Sequence, residues 1–189
     1  MSRPNILFVF DDQHRYTALG CSGNPIIRTP HFDRLAAGGG TFDRAFSCYA
    51  LCTPFRAELF TGQWCHVNGA VDNEYKLFDG QETIAHVLGR AGYRTAFIGK
   101  WHLGHGPYPE AARHGFDELM AYNCGHGFWK SEYYANERGP IPFGCWAATG
   151  ETDLAIEYLQ RHKESADDAP FMLCVGWAGP HWPYEDYPE

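Results

Sequence analysis

At 189 residues, with 44% hydrophobic and 20% charged side chains, the chain has the composition of one globular domain with a real core, which excludes a disordered segment. A formal net charge of −8 and the lack of any Lys/Arg run exclude a nucleic-acid backbone or an anionic membrane as the main partner, so any anion has to be bound by a local site. Seven cysteines, an odd number without a C-x-x-C pair, argue against a disulfide or zinc framework and leave most thiols buried and inert.

The N-terminus, MSRPNILFVFDDQ, carries an apolar run of only about six residues that ends in two acids, too short for a signal peptide, which predicts a cytoplasmic protein. NILFVF (5–10) is a continuous apolar run of strand length and predicts a strand buried on both faces. TPHFDRLAAGG reads as a helix with Thr29 as N-cap, Pro30 at its first position and Gly38 as its stop. In LCTPFRAELFTG, Thr53 is the expected N-cap and Pro54 the first helical residue, so a helix closed by Gly62 starts directly after Cys52. QETIAHVLGRAGY places Ile84, Val87, Leu88 and Ala91 on one helical face, stops at Gly92 and runs into a strand, RTAFIG (94–99). Between about 104 and 150, Gly, Pro, Tyr, Trp and His dominate with weak periodicity, which reads as long loops over a site. TDLAIEYLQRHKE is an amphipathic helix, SADDAP a polar loop and FMLCVGW (171–177) another buried strand. Strand and helix alternation of this kind predicts an α/β sandwich with a mostly parallel sheet.

Each of the three buried strands runs into polar residues at its C-terminal end: Asp11 and Asp12, then Lys100 and His102, then His181. Open α/β sheets bind ligands outside the carboxyl ends of their strands, so these side chains should converge. Any one of them alone reads as an ordinary loop polar; their recurrence at three strand ends points to a shared site. Cys52 falls at the positive end of its helix, where backbone N–H groups favour an anion, and Arg56, one turn further on, offers a fork for oxyanions. A tyrosine-phosphatase-like loop is excluded, because its arginine would fall at position 58, which is Glu58. The adjacent carboxylates of Asp11 and Asp12 repel unless a cation shares them, and oxygen ligands suit Ca²⁺ or Mg²⁺ rather than zinc. Joint ligation also requires the chain to leave regular extension after Phe10. His102 and His105 form H-x-x-H without a second Cys/His pair, so zinc is rejected there too.

Cys52, Pro54, Arg56, Leu59, Thr61 and Gly62 together resemble the signature of the sulfatase family, in which Cys-x-Pro-Ser-Arg marks a cysteine oxidised after synthesis to formylglycine. PNILFVFDDQ resembles the family's metal-binding opening, GYRTAFIGKWHLG its Lys/His segment, PFMLCVGWAGPHWPY its later histidine strand, and TGQWCHVNGAVDN the segment after the signature helix. The resemblance implies an alkaline-phosphatase-like αβα sandwich with a mostly parallel central sheet, incomplete at the C-terminus. Residues 1–189 would be the N-terminal portion of a single sulfatase catalytic domain, the later Asp-Asn or Asp-His metal ligands and a further lysine lying beyond Glu189. An open sheet edge and an uncovered apolar face, with poor solubility, are therefore expected.

The activity implied is hydrolysis of a sulfate ester of a sugar, an aryl group or a small alcohol. One hydroxyl of the hydrated formylglycine made from Cys52 attacks sulfur and displaces the alcohol. Loss of the other hydroxyl's proton re-forms the aldehyde and expels sulfate. By resemblance, Arg56 and Lys100 hold the formylglycine and sulfate oxygens, His102 is the base that regenerates the aldehyde, and His181 attends the leaving oxygen. Asp11, Asp12 and the modified Cys52 would ligate the divalent ion, and a formylglycine-generating enzyme would be a partner. Trp101, Trp129, Tyr133 and Tyr134 are candidates for a sugar- or aryl-binding wall, or for loop packing. Phe55 stands where the family usually has Ser, which changes the segment a modifying enzyme reads. Two other readings compete: a phosphonate or phosphate ester hydrolase of the same superfamily, and a non-catalytic fragment or pseudoenzyme that only binds ligand.

Overall fold

The computed structural model describes residues 3–165, 168–184 and 187–188. Among these, six strands form one sheet: β1 (Ile6–Asp11), β2 (Arg94–Lys100), β3 (Glu118–Tyr122), β4 (Glu132–Ala135), β5 (Arg138–Pro142) and β6 (Phe171–Trp177), in the order β1-β6-β2-β3-β4-β5. The first four strands in that order are parallel, and β4 and β5 close the sheet as an antiparallel hairpin. The three apolar runs legible in the sequence are thus direct neighbours, with the last in the chain inserted between the other two.

The helices are α1 (Pro30–Gly38), α2 (Cys52–Thr61), α3 (Cys65–Asn68), α4 (Ile84–Arg90) and α5 (Ala147–Glu164). Strand alternation sorts the core onto two faces. Phe97, Met172 and Cys174 pack with Ala57 and Phe60 of α2 and Ala85 of α4 on one side. Ala96, Ile98, Leu173 and Val175 pack with Ala155 and Tyr158 of α5 on the other. The outcome is the expected sandwich around a mostly parallel sheet. No helix among the described residues is long and apolar enough to cross a membrane.

Four local expectations are corrected. β1 is not buried on both faces: among the described residues it lies at the sheet edge, paired only with β6, and Leu7, Phe8 and Val9 are 53%, 38% and 39% exposed. The open edge and bare apolar face foreseen from the sequence are therefore present, on a strand read as buried on both faces. α4 turns a different face inward, since it approaches β2 through the small Ala85 and through Leu88, leaving Ile84, Val87 and Ala91 exposed. The stretch 104–150 is not all loop: it holds β3, β4, β5 and the first turn of α5. Its hairpin turns at Asn136 (φ 53°), a residue type that accepts the left-handed region between paired Ala135 and Arg138. Finally, α2 starts two residues early, as described below. Residues 166–167 of the expected polar loop lie outside the described residues.

Candidate active site

The parallel strands deliver Asp12, His181, Lys100 and His102 to one end of the sheet, and the N-terminus of α2 meets them there. The Asp12 N–H donates to the Gly179 carbonyl (3.1 Å), which ties the chain leaving β1 to the chain leaving β6. Leu51, not Thr53, is the N-cap of α2; its apolar side chain cannot cap, and Cys52 is the first helical residue. Thr53 sits one position further in, and its hydroxyl donates to the His102 carbonyl (2.8 Å), pinning the helix start to the end of β2. The missing cap comes from far along the chain: Asn73 Oδ1 accepts from the Thr53 N–H at 3.0 Å. A motif search centred on Cys52 does not reach Asn73.

Around the thiol the charges are close-set. Lys100 is fully buried; its Nζ donates to Asp12 Oδ2 at 2.5 Å and lies 3.7 Å from Cys52 Sγ. Arg56, also buried, lies 3.4 Å from the same Asp12 oxygen, donates to the Lys100 carbonyl and stands over the Phe10 ring at 5.0 Å. Cys52 Sγ is 3.8 Å from both Asp12 oxygens. Burial pushes the Asp12 carboxyl up, but Arg56 and Lys100 outweigh it and hold the group below its usual range. Burial likewise raises the Cys52 thiol, and Lys100 only partly opposes this. The unmodified cysteine is thus not built as a reactive thiolate.

His102, held at φ 52°, has its Nδ1 buried without a hydrogen-bond partner among the described residues. Burial, then the charges of Lys100 and Arg56, push its pKa down to about 4, so the ring is neutral at pH 7. His181 Nδ1 lies 2.5 Å from the Trp182 carbonyl and must carry its proton, leaving Nε2 as the other working nitrogen. His181 stacks on His126, with centroids 4.1 Å apart and planes at 19°. His126 was missed in the sequence, although a signal exists: it follows the C-terminal end of β3 as the others follow theirs. Its own pKa is lowered by burial, then by His181 and Lys100.

Asp11 stands apart. Its carboxylate bonds His14 Nδ1 at 2.5 Å, and this bond, offsetting burial, raises the imidazole's pKa. The ligand atoms that do lie together, within 4.8 Å of one another, belong to Asp12, Cys52 and His181. As O, S and N donors they suit a hard ion poorly; replacing the sulfur by oxygen at residue 52 brings the set toward oxygen. His105 is elsewhere engaged, its Nε2 3.0 Å from Asn123 Nδ2.

Phe55 meets Phe10 edge-on (6.1 Å) and, with Asp11, Asp12, His14, Cys52 and Arg56, lines a cavity of about 270 Å³. Larger clefts of about 780 and 850 Å³ lie away from this charge cluster, beside α4 and along α1, so chemistry rather than volume locates the site. Of the two readings of the aromatics, three residues follow the packing one: Trp101 is wholly buried against Phe60 and Phe97, Tyr133 packs on Phe143, and Tyr134 on Tyr108, while Trp129 is exposed.

Comparison with known proteins agrees with this geometry. The Sulfatase family model matches residues 4–189. An ulvan-active sulfatase of Formosa agariphila is 37% identical over 100% of this chain and 37% of its own length. An N-acetylglucosamine-6-O-sulfatase of Bacteroides thetaiotaomicron is 34% identical over 95% of this chain and 31% of its own. A solved structure described as a complex with its substrate, D-glucosamine-2-N,6-O-disulfate, superposes with a TM-score of 0.84 at 33% identity, over 95% of this chain and 35% of that one. The chain therefore spans about a third of the length of these relatives.

Proposed function

The chain belongs to the sulfatase family, and from that premise we propose that it forms the nucleophile half of a site that hydrolyses sulfate esters of sugars. The observation that carries the proposal is the buried pair Arg56 and Lys100, converging with Asp12 on residue 52 at the start of α2. The sugar class rests on relatives named for ulvan and for N-acetylglucosamine 6-sulfate.

Sulfatases in general use a formylglycine and a divalent metal. A formylglycine at position 52 would supply, as its hydrate, one hydroxyl to attack sulfur and a second to release the sulfate. A divalent ion, proposed as Ca²⁺ or Mg²⁺, would be held by Asp12 and residue 52, with Asp11, bonded to His14 in this structure, as the further carboxylate, and would supply polarisation of a sulfate oxygen. The remaining work falls to side chains of this chain. Arg56 and Lys100 are fixed before any ligand arrives, so their charge meets the developing negative charge without reorganisation. His102, neutral at pH 7 with a free buried nitrogen, is set to take the proton from the second hydroxyl. His181, with Nδ1 committed to Trp182, presents Nε2 to the departing oxygen.

The test is the peptide mass around Cys52 after co-expression with a formylglycine-generating enzyme. Thiol-to-aldehyde conversion lowers it by about 18 Da. A thiol that persists under conditions that modify a Ser-containing relative would overturn the reading, placing the fault at Phe55.

A further inference from the structure

We propose that Glu151 is a positioning residue for Arg56: a carboxyl on α5 that reaches the guanidinium through the sheet, at the paired glycines Gly99 and Gly176, and sets its orientation and local charge. The inference rests on the role given above to Arg56 and adds a residue on the opposite face of the sheet.

Glu151 is wholly buried, unusual for an acid in the exposed-type pattern of an amphipathic helix. Tyr122, at the end of β3, donates its hydroxyl to Glu151 Oε1 at 2.6 Å, while Oε2 has no hydrogen-bond partner among the described residues. A buried carboxyl satisfied on one oxygen alone needs compensation from a charge nearby. The sheet carries no side chains at that point. Gly99 and Gly176 face each other in the β2–β6 register. A Cβ on Gly99, held at φ +104°, would collide with the Gly176 carbonyl and lie 3.5 Å from Glu151 Cδ. A Cβ on Gly176 would lie 3.2 Å from an Arg56 guanidinium nitrogen and 2.9 Å from the Phe10 ring. Glu151 and Arg56 thus touch the same two-residue gap, one from the α5 side and one from the α2 side, with backbone alone between them.

Arg56 needs such a partner. Its burial works against its charge, its Nε lacks a hydrogen-bond partner among the described residues, and Asp12 at 3.4 Å is shared with the closer Lys100. The charged and titratable groups that act on Glu151 are Tyr122 from β3 and Arg56 from α2; burial, opposed by both, leaves its pKa at about 7. Tyr122 couples in turn to Glu151 and Arg56, completing a Glu151–Tyr122–Arg56 triangle across the sheet.

The experiment needs no turnover, so its failure and failure of the sulfatase reading are separable. The full chain is labelled to observe the Arg56 Nε–H resonance, and the spectrum is recorded for wild type, Glu151→Gln and Tyr122→Phe. The proposal expects that resonance to move in both variants; an unmoved resonance overturns it. In parallel, urea unfolding at pH 8 is measured for E151Q, R56M and the double variant. Coupling should make the effect of E151Q on the unfolding constant differ about fivefold or more between the two backgrounds, with E151Q more favourable where Arg56 is gone. Additive effects overturn the proposal. Should E151Q not fold, Tyr122→Phe, which leaves the carboxyl in place, carries both measurements.

Discussion

Replacing Lys100 by Met tests the charge balance on which the site depends. Lys100 Nζ and Asp12 Oδ2 are 2.5 Å apart, the lysine wholly buried and the Asp12 side chain 11% exposed. At an effective dielectric of about 20, two unit charges at that distance attract by roughly 6 to 7 kcal/mol, most of it offset by desolvation. Removing one partner of a buried pair is destabilising by about 3 to 5 kcal/mol, because the other charge is left behind. Asp12 keeps Arg56 at 3.4 Å, so the lower figure, about 3 kcal/mol, is expected here. The sign with pH follows from Asp12. Its folded-state pKa is depressed, so the stability it contributes is present above the unfolded carboxylate value and disappears as pH falls through the folded one. Urea unfolding with EDTA present should therefore show a large deficit for K100M at pH 7 that narrows toward pH 3, and adding Asp12→Asn should recover part of it at pH 7. Equal midpoints at pH 7, or a deficit constant with pH, would refute the claim that Lys100 and Asp12 act as a pair.

Asn73→Ala removes the acceptor that caps α2 and should lower stability by about 1 kcal/mol, read as a reduced urea midpoint at unchanged m-value; an unchanged midpoint would show that water caps Thr53 equally well. His102 is depressed to about 4 in the fold, so the folded state resists its protonation. Stability should fall as pH drops from about 6.5 to about 4, and His102→Gln should flatten that limb of a Tm-against-pH curve. Ca²⁺ added to metal-free protein should raise Tm with concentration, and Asp12→Asn should remove the response; an identical rise in the variant would place the ion elsewhere.

The three apolar runs were legible because apolar stretches of strand length have few alternatives, and the strand-end rule then pointed to Asp12, Lys100, His102 and His181 without any contact information, along with Asp11, which turns to His14 instead. Not legible was that β6, last in the chain, would insert between β1 and β2; only that insertion brings the three strand ends side by side. The same step exposes why β1 was misread. A continuous apolar run records burial in the folded context a strand is selected for, yet among the described residues β1 has one neighbour, so its apolar faces stand open. β4 and β5 hid behind Gly, Pro and Tyr, residues that read as loop unless Asn136 is recognised as the hinge of a two-residue hairpin.

The residues that escaped share one property: each acts on the site from an element whose own pattern is ordinary. Asn73 lies in a polar turn, His126 in a Gly-rich loop, and Glu151 in the first turns of a helix where an acid normally faces water. The position of Glu151 becomes unusual only because α5 lays those turns over Gly99 and Gly176, and the gap between these glycines exists only when two strands, far apart in the chain, come into register. Local pattern can therefore single out polar groups that gather at strand ends, while the groups proposed to hold Arg56 from behind depend on register and emerge only with the fold.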